Sequence, residues 1–144
     1  MINAKLMGDH LRYRSTLAPH LSEFVILLVA REWNSPVEWA IHQPTALAAG
    51  LSTAKIDAIA NRRRPTELTP EEEIAYDLFH ELTAKRAISD RTYEQAALLL
   101  GEQGLVDLIG ICGYYTLLAM VMNTARTAPA QHANSLPDPA YESQ

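Results

Sequence analysis

One cysteine, Cys112, is all the chain has, so no disulfide can form within it, and a reducing compartment is expected. Positive charge is also scarce. Twelve Lys and Arg stand against seventeen Asp and Glu, for a formal net charge of -5, and that balance argues against a nucleic-acid surface. The only dense basic run, Arg62-Arg63-Arg64, reads as a counter-charge to the C-terminal dipole of the helix before it. The sequence has no glycine-rich phosphate loop, no C-x-x-C pair and no Ser-His-Asp order, which removes the commonest signatures of nucleotide binding, dithiol chemistry and serine hydrolysis. No internal repeat is visible. Met1 to Leu11 already mixes Lys5, Asp9 and His10, unlike a secretory leader, so a cytoplasmic protein is expected. Paired strands are missing as well. The apolar run Phe24–Ala30 could be a buried strand or a buried helix by periodicity alone, and it reads as helix because nothing else in the chain could pair with it.

What is present is a series of helix starts and stops. With 144 residues, 48% hydrophobic and 20% charged, the chain suits one domain that buries a real core. The best-marked helix runs from Pro36 to Ala49. Ser35 stands where an N-cap is wanted, Pro36 suits the first helical position, Glu38 would complete a capping box, and Gly50 follows the last turn. Before it, Pro19 and Ser22 open a helix over Leu21–Trp33 with Glu23 in its first turn. After it, Ser52 caps a short helix to about Asn61. Thr69-Pro70-Glu71-Glu72 opens another to about Arg86, with Ile74, Leu78 and Leu82 in register. Ser89 or Asp90 starts a further helix to Gly101, and Leu105 to about Thr127 is long and nearly uncharged. That last segment has the length of a membrane span, yet Asp107, Gly110, Gly113 and Asn123 interrupt it, so it is read as core and subunit interface. Leu6, Met7 and Leu11 suit a short N-terminal helix. The expectation is an all-α, single-domain bundle of about six helices over residues 1–127, with a flexible Pro-rich tail over 128–144.

The chemistry sits on the best-marked helix. Glu38 and His42 are four residues apart, so both project from one face, and a carboxylate beside an imidazole can move a proton. Each also has a plain structural reading: Glu38 as the capping-box glutamate, His42 as a satisfied core histidine. Asp77-x-x-His80 on another helix could join them around a metal, but the four-helix carboxylate set of a di-metal bundle is missing, and no metal is expected. Cys112, in an apolar helix with no basic neighbour, reads as a buried inert thiol.

The run Arg31–Ser52, with N-S-P-V-E-W-A-I-H-Q-P-T-A-L-A-A-G-L-S, resembles the core signature of the carboxymuconolactone decarboxylase family, and Glu23-x-x-Ile26-Leu27-x-Val29-Ala30 resembles that family's lead-in helix. The match covers Leu21 to Ala60. The resemblance implies an all-helical, oligomeric fold shared with alkylhydroperoxidase D. The peroxidase branch carries C-x-x-C-x-x-x-H, with a glutamate twelve residues before the first cysteine. With its histidine on His42, Ser35 and Glu38 fall on the two cysteines, and the upstream glutamate falls on Glu23. Thiol peroxidase activity is therefore excluded, and Glu23, Glu38 and His42 remain as a proton-transfer set. The resemblance further implies a cofactor-independent lyase that decarboxylates a small anionic lactone or keto acid, with His42 as the acid. Trp39 would wall the cavity. A cation for the substrate could come from Arg12, Arg14 or Arg31, and Arg31 stands with Trp39 as the expected substrate contacts. The alternative is a non-catalytic oligomeric or ligand-binding member of the same fold. Either way the expected partners are a small carboxylate and further copies of the chain, with no nucleic acid and no membrane.

Overall fold

The computed structural model describes residues 2–131 and 133–138. It consists of six helices, α1 (Ile2–Tyr13), α2 (Pro19–Glu32), α3 (Pro36–Ala48), α4 (Thr53–Ala60), α5 (Pro70–Lys85) and α6 (Asp90–Thr124), with no strand among the described residues. The all-α expectation holds. The middle of the bundle is α2. Every residue from Phe24 to Arg31 is buried, and a helix apolar all round has to be covered on every side. It is covered by α3, α4, α5 and α6. The best-marked helix, α3, packs against this centre.

Most helix starts follow from local chemistry. The hydroxyls of Ser52, Thr69 and Ser89 accept bonds from the backbone N–H groups of Lys55, Glu72 and Thr92, satisfying donors that the first turn leaves free. Thr69 and Glu72 form a full capping box. The buried Glu72 carboxylate also takes Lys55 Nζ at 2.7 Å, which ties α4 to α5.

Four expectations need correction. Because α2 begins at Pro19, Glu23 falls in its second turn, beyond the capping positions. Ser35 is the N-cap of α3 by position, but its hydroxyl makes no capping bond, and its buried Oγ has no partner among the described residues. The box fails because the Glu38 carboxylate is turned to His42 instead. The break expected at Gly101 is present, since its backbone (φ 71°, ψ 168°) is non-helical, but the segment expected to start at Leu105 follows it directly, so that both are counted as α6, and it ends at Thr124 rather than Thr127. Such backbone angles are open only to glycine. Lastly, Arg62 does not serve the helix before it. It donates to the carbonyl oxygen of Arg31 and to Asn34 Oδ1, at the C-terminus of α2, while Arg64 pairs with Glu73 and Asp77 of α5.

By length and composition α6 could cross a membrane; it packs against α5, α2 and α1. Its buried Asp107 fastens the α1–α2 loop, accepting from Ser15 Oγ at 2.8 Å, Thr16 N at 3.0 Å and Gln103 Nε2 at 2.8 Å. Burial alone would raise the Asp107 pKa, but these bonds outweigh it and hold the carboxyl below its ordinary value. After α6 the described part of the expected tail forms no helix and is bonded to the body. Asn134 Nδ2 donates to Gln43 Oε1 at 2.6 Å, Arg31 Nη1 to the Pro137 carbonyl at 2.7 Å, and Leu136 packs on the core. The remainder of that tail, 132 and 139–144, lies outside the described residues.

Candidate active site

Glu23, Glu38 and His42 come together. The one-turn spacing on α3 sets Glu38 beside His42, and α2 brings Glu23 to the other side of the ring. His42 Nδ1 lies 2.8 Å from Glu23 Oε2 and its Nε2 lies 3.4 Å from Glu38 Oε2. The imidazole is 5% exposed and Glu38 3%. With both carboxylates ionised, each side of the ring faces an acceptor oxygen, and the doubly protonated ring is the form that satisfies both contacts. Burial by itself lowers the His42 pKa, but the hydrogen bonds and negative charges of Glu23 and Glu38 overcome it, and the net direction is upward. The two carboxylates meet opposite nitrogens, so the three groups share no common point, and no metal-binding cluster of three occurs among the described residues.

Tyr115 of α6 completes the arrangement. Its ring stands perpendicular to that of His42 at 5.0 Å between centroids. Burial, and then the charge of Glu23, push its phenol pKa upward, so it remains a neutral O–H at ordinary pH. Beside these groups opens a cavity of about 390 Å³, whose wall includes Glu23, Tyr115, Ser22, Ile26, Thr45 and Arg12. His42, expected as the acid at the cavity, does not reach that wall: it is enclosed by Glu23, Glu38 and Tyr115, and that expectation needs correction. The chain Glu38–His42–Glu23 therefore runs from the interior to the cavity, and Glu23 is its cavity-facing end.

The remaining expected residues lie elsewhere. Trp39, 2% exposed, is part of the core and is not among the residues that wall this cavity. Arg31 is eight residues beyond Glu23 on α2, about 12 Å of helix rise, and faces a separate small pocket with Arg62 and Tyr76. Of the three candidate cations, Arg12 borders the cavity. Asp77 is paired with Arg64, and His80 stacks on Tyr76 at 4.1 Å between centroids, so both are engaged away from His42. Burial pushes the Cys112 thiol up to about 12, which suits an inert core residue. Tyr115 went unforeseen. Its one sequence signal was the pair of phenols, Tyr114 and Tyr115, in the middle of a nearly uncharged helix. No family model matches the chain, and no curated protein matches it.

Proposed function

We propose that the chain is a cofactor-independent lyase of the carboxymuconolactone decarboxylase type, releasing carbon dioxide from a small anionic lactone or keto acid. One observation carries the reading: a carboxylate on a cavity wall, Glu23, hydrogen-bonded to a buried imidazole that a second carboxylate backs. Arg12, at the same wall, is the cation that would hold the substrate's carboxylate group. In the reaction the bond between that carboxylate and the carbon bearing it breaks, carbon dioxide leaves, and the electron pair moves into the lactone or ketone carbonyl placed to accept it, giving an enolate. Tyr115 O–H is the neutral donor available to the enolate oxygen. The proton on His42 Nδ1 passes to Glu23, and Glu23 delivers it to carbon. Glu38 keeps the Nε2 side of the ring protonated throughout, and water at the cavity restores the lost proton.

The same reading places the protein in the cytoplasm as a homo-oligomer. Its test is a screen of small lactone and keto acids with the full chain, following carbon dioxide release. An acid should be turned over, and both Glu23→Gln and His42→Ala should lower kcat by about 10²- to 10⁴-fold with helicity unchanged. Saturable binding of such acids without release of carbon dioxide would instead favour the non-catalytic ligand-binding member. Full activity in both variants would sink the proton relay.

A further inference from the structure

A second polar feature lies outside the cavity and plays no part in the reaction above. Arg31 is the only arginine buried among the described residues, at 5% exposure. Its Nη1 donates to the Pro137 carbonyl, but its Nε, enclosed as well, has no hydrogen-bond partner there. Nor does Arg31 join any ion pair among the described residues. A buried guanidinium with an orphaned donor and no counter-charge is an unstable arrangement unless something anionic meets it.

The surroundings supply the shape for such an anion. Arg31 lines a pocket of about 50 Å³ whose apolar base is Leu28, Ile59 and Phe79, with Arg62, Arg63 and His80 around it. Arg62 is committed to the Arg31 carbonyl, to Asn34 and to Glu32. The Arg63 guanidinium, exposed, has no hydrogen bond or ion pair among the described residues. Three guanidiniums thus meet one carboxylate, Glu32, at this pocket. Burial, and next the charge of Arg62, lower the Arg31 pKa, the direction expected where like charges crowd together. The volume is several times the ~10–15 Å³ that one water needs. It suits a tetrahedral or trigonal oxyanion and is far too small for a nucleotide.

We infer that this pocket, at the junction of α2, α4 and α5, binds a small oxyanion, a phosphate or carboxylate group, through the guanidinium groups of Arg31 and Arg63. The anion is either free or the terminal group of a larger metabolite reaching in past Arg63. Bound there, it neutralises Arg31 and ties α2 to the segment that follows α4, so it binds the folded state alone and stabilises it.

The experiment is a titration of the full chain with inorganic phosphate at low ionic strength, by calorimetry and by melting temperature. Wild type should bind saturably in the millimolar range or tighter. Arg63→Gln, on an exposed side chain that the fold does not need, should weaken binding about tenfold, the value of one charge-assisted hydrogen bond. Arg31→Lys, which keeps the charge and removes the planar guanidinium, should weaken it at least as much. Arg91→Gln, a cation outside this pocket, should change nothing. A small phosphate monoester that binds more tightly than phosphate would identify the terminal group of a metabolite, and equal affinity would identify the free ion. No saturable binding by wild type, or the same phosphate response in Arg63→Gln as in Arg91→Gln, overturns the assignment. The second outcome would leave only the general stabilisation that phosphate gives most proteins. Neither result depends on decarboxylase activity.

Discussion

At the scale of single residues, the contacts of His42 turn into a pH dependence of stability. Its folded-state pKa lies above the ordinary value, so its ion pairs with Glu23 and Glu38 contribute fully below the unfolded pKa of about 6.5. That contribution falls away as pH rises through the raised folded value. Asp107 works in the opposite direction. Its pKa is depressed, so its contribution is present above about 3.9 and fades as pH drops through the folded value. Stability should therefore be greatest between roughly pH 4 and 6.5 and decline on both sides. Melting temperatures across pH test the alkaline limb directly. Glu38→Gln removes one of the charges that raise the His42 pKa, so its decline should begin at lower pH than in wild type. His42→Gln should flatten the limb. A limb unchanged in both variants would mean that His42 is not held as the cation. Part of this was legible beforehand. The Glu38–His42 pair follows from helical spacing alone, but Glu38 has one carboxylate and two local uses for it, and only the packing against α2 and α6 decides between Ser35 and His42. The position of Glu23 came from the family resemblance, since contacts between helices leave no mark in local spacing.

Elements were easier to read than contacts, because caps and breakers act locally. Pro36, Thr69 and Ser89 mark helix starts without help from the rest of the fold. Gly101 was legible as a break, and its ψ of 168° at φ 71° interrupts the helical backbone there; what was not legible is that the second segment of α6 resumes at once, without the short linker expected before Leu105. Nothing lies within 4 Å of a Cβ built at Gly101, so an added methyl group would meet no steric neighbour and the cost would be backbone strain alone. Gly101→Ala should destabilise the protein by about 1–3 kcal/mol, read as a lower denaturant midpoint at unchanged slope. An unchanged midpoint would show that the kink does not require glycine. The placement of Arg31 was illegible for a related reason. Sequence shows that it shares α2 with Glu23, but about two turns of helix separate them, enough to put one at the cavity and the other at the α4–α5 side. The Pro-rich stretch after α6 gave no periodic signal at all, and its bonds to Gln43 and Arg31 depend on where the chain happens to pass.

For the whole molecule the question is what covers the outer face of α6. The inner face carries Leu108, Ile111 and Tyr115, all buried, while Val106, Ile109, Leu117, Met120 and Val121 are 60%, 43%, 47%, 44% and 50% exposed. With the exposed Gly113, positions 106, 109, 113, 117 and 120 recur at intervals of three and four, which places them on one stripe of the helix. A run of apolar side chains this long on a helix surface is the mark of an interface, and its three-four spacing suits packing against another helix. The glycine midway offers a place for close approach, with nothing within 4 Å of its Cβ position. A second copy of the chain, presenting the same stripe, would satisfy it through a self-complementary contact. The protein is therefore expected to run as a homo-oligomer in light scattering at micromolar concentration. Leu117→Glu, which puts a charge in the middle of the stripe on a half-exposed side chain that does not line the cavity, should reduce the mass to that of a monomer while leaving helicity intact. A wild-type chain that is already monomeric at that concentration would leave the α6 stripe without a partner of its own kind, and the expectation of an oligomer would fall with it.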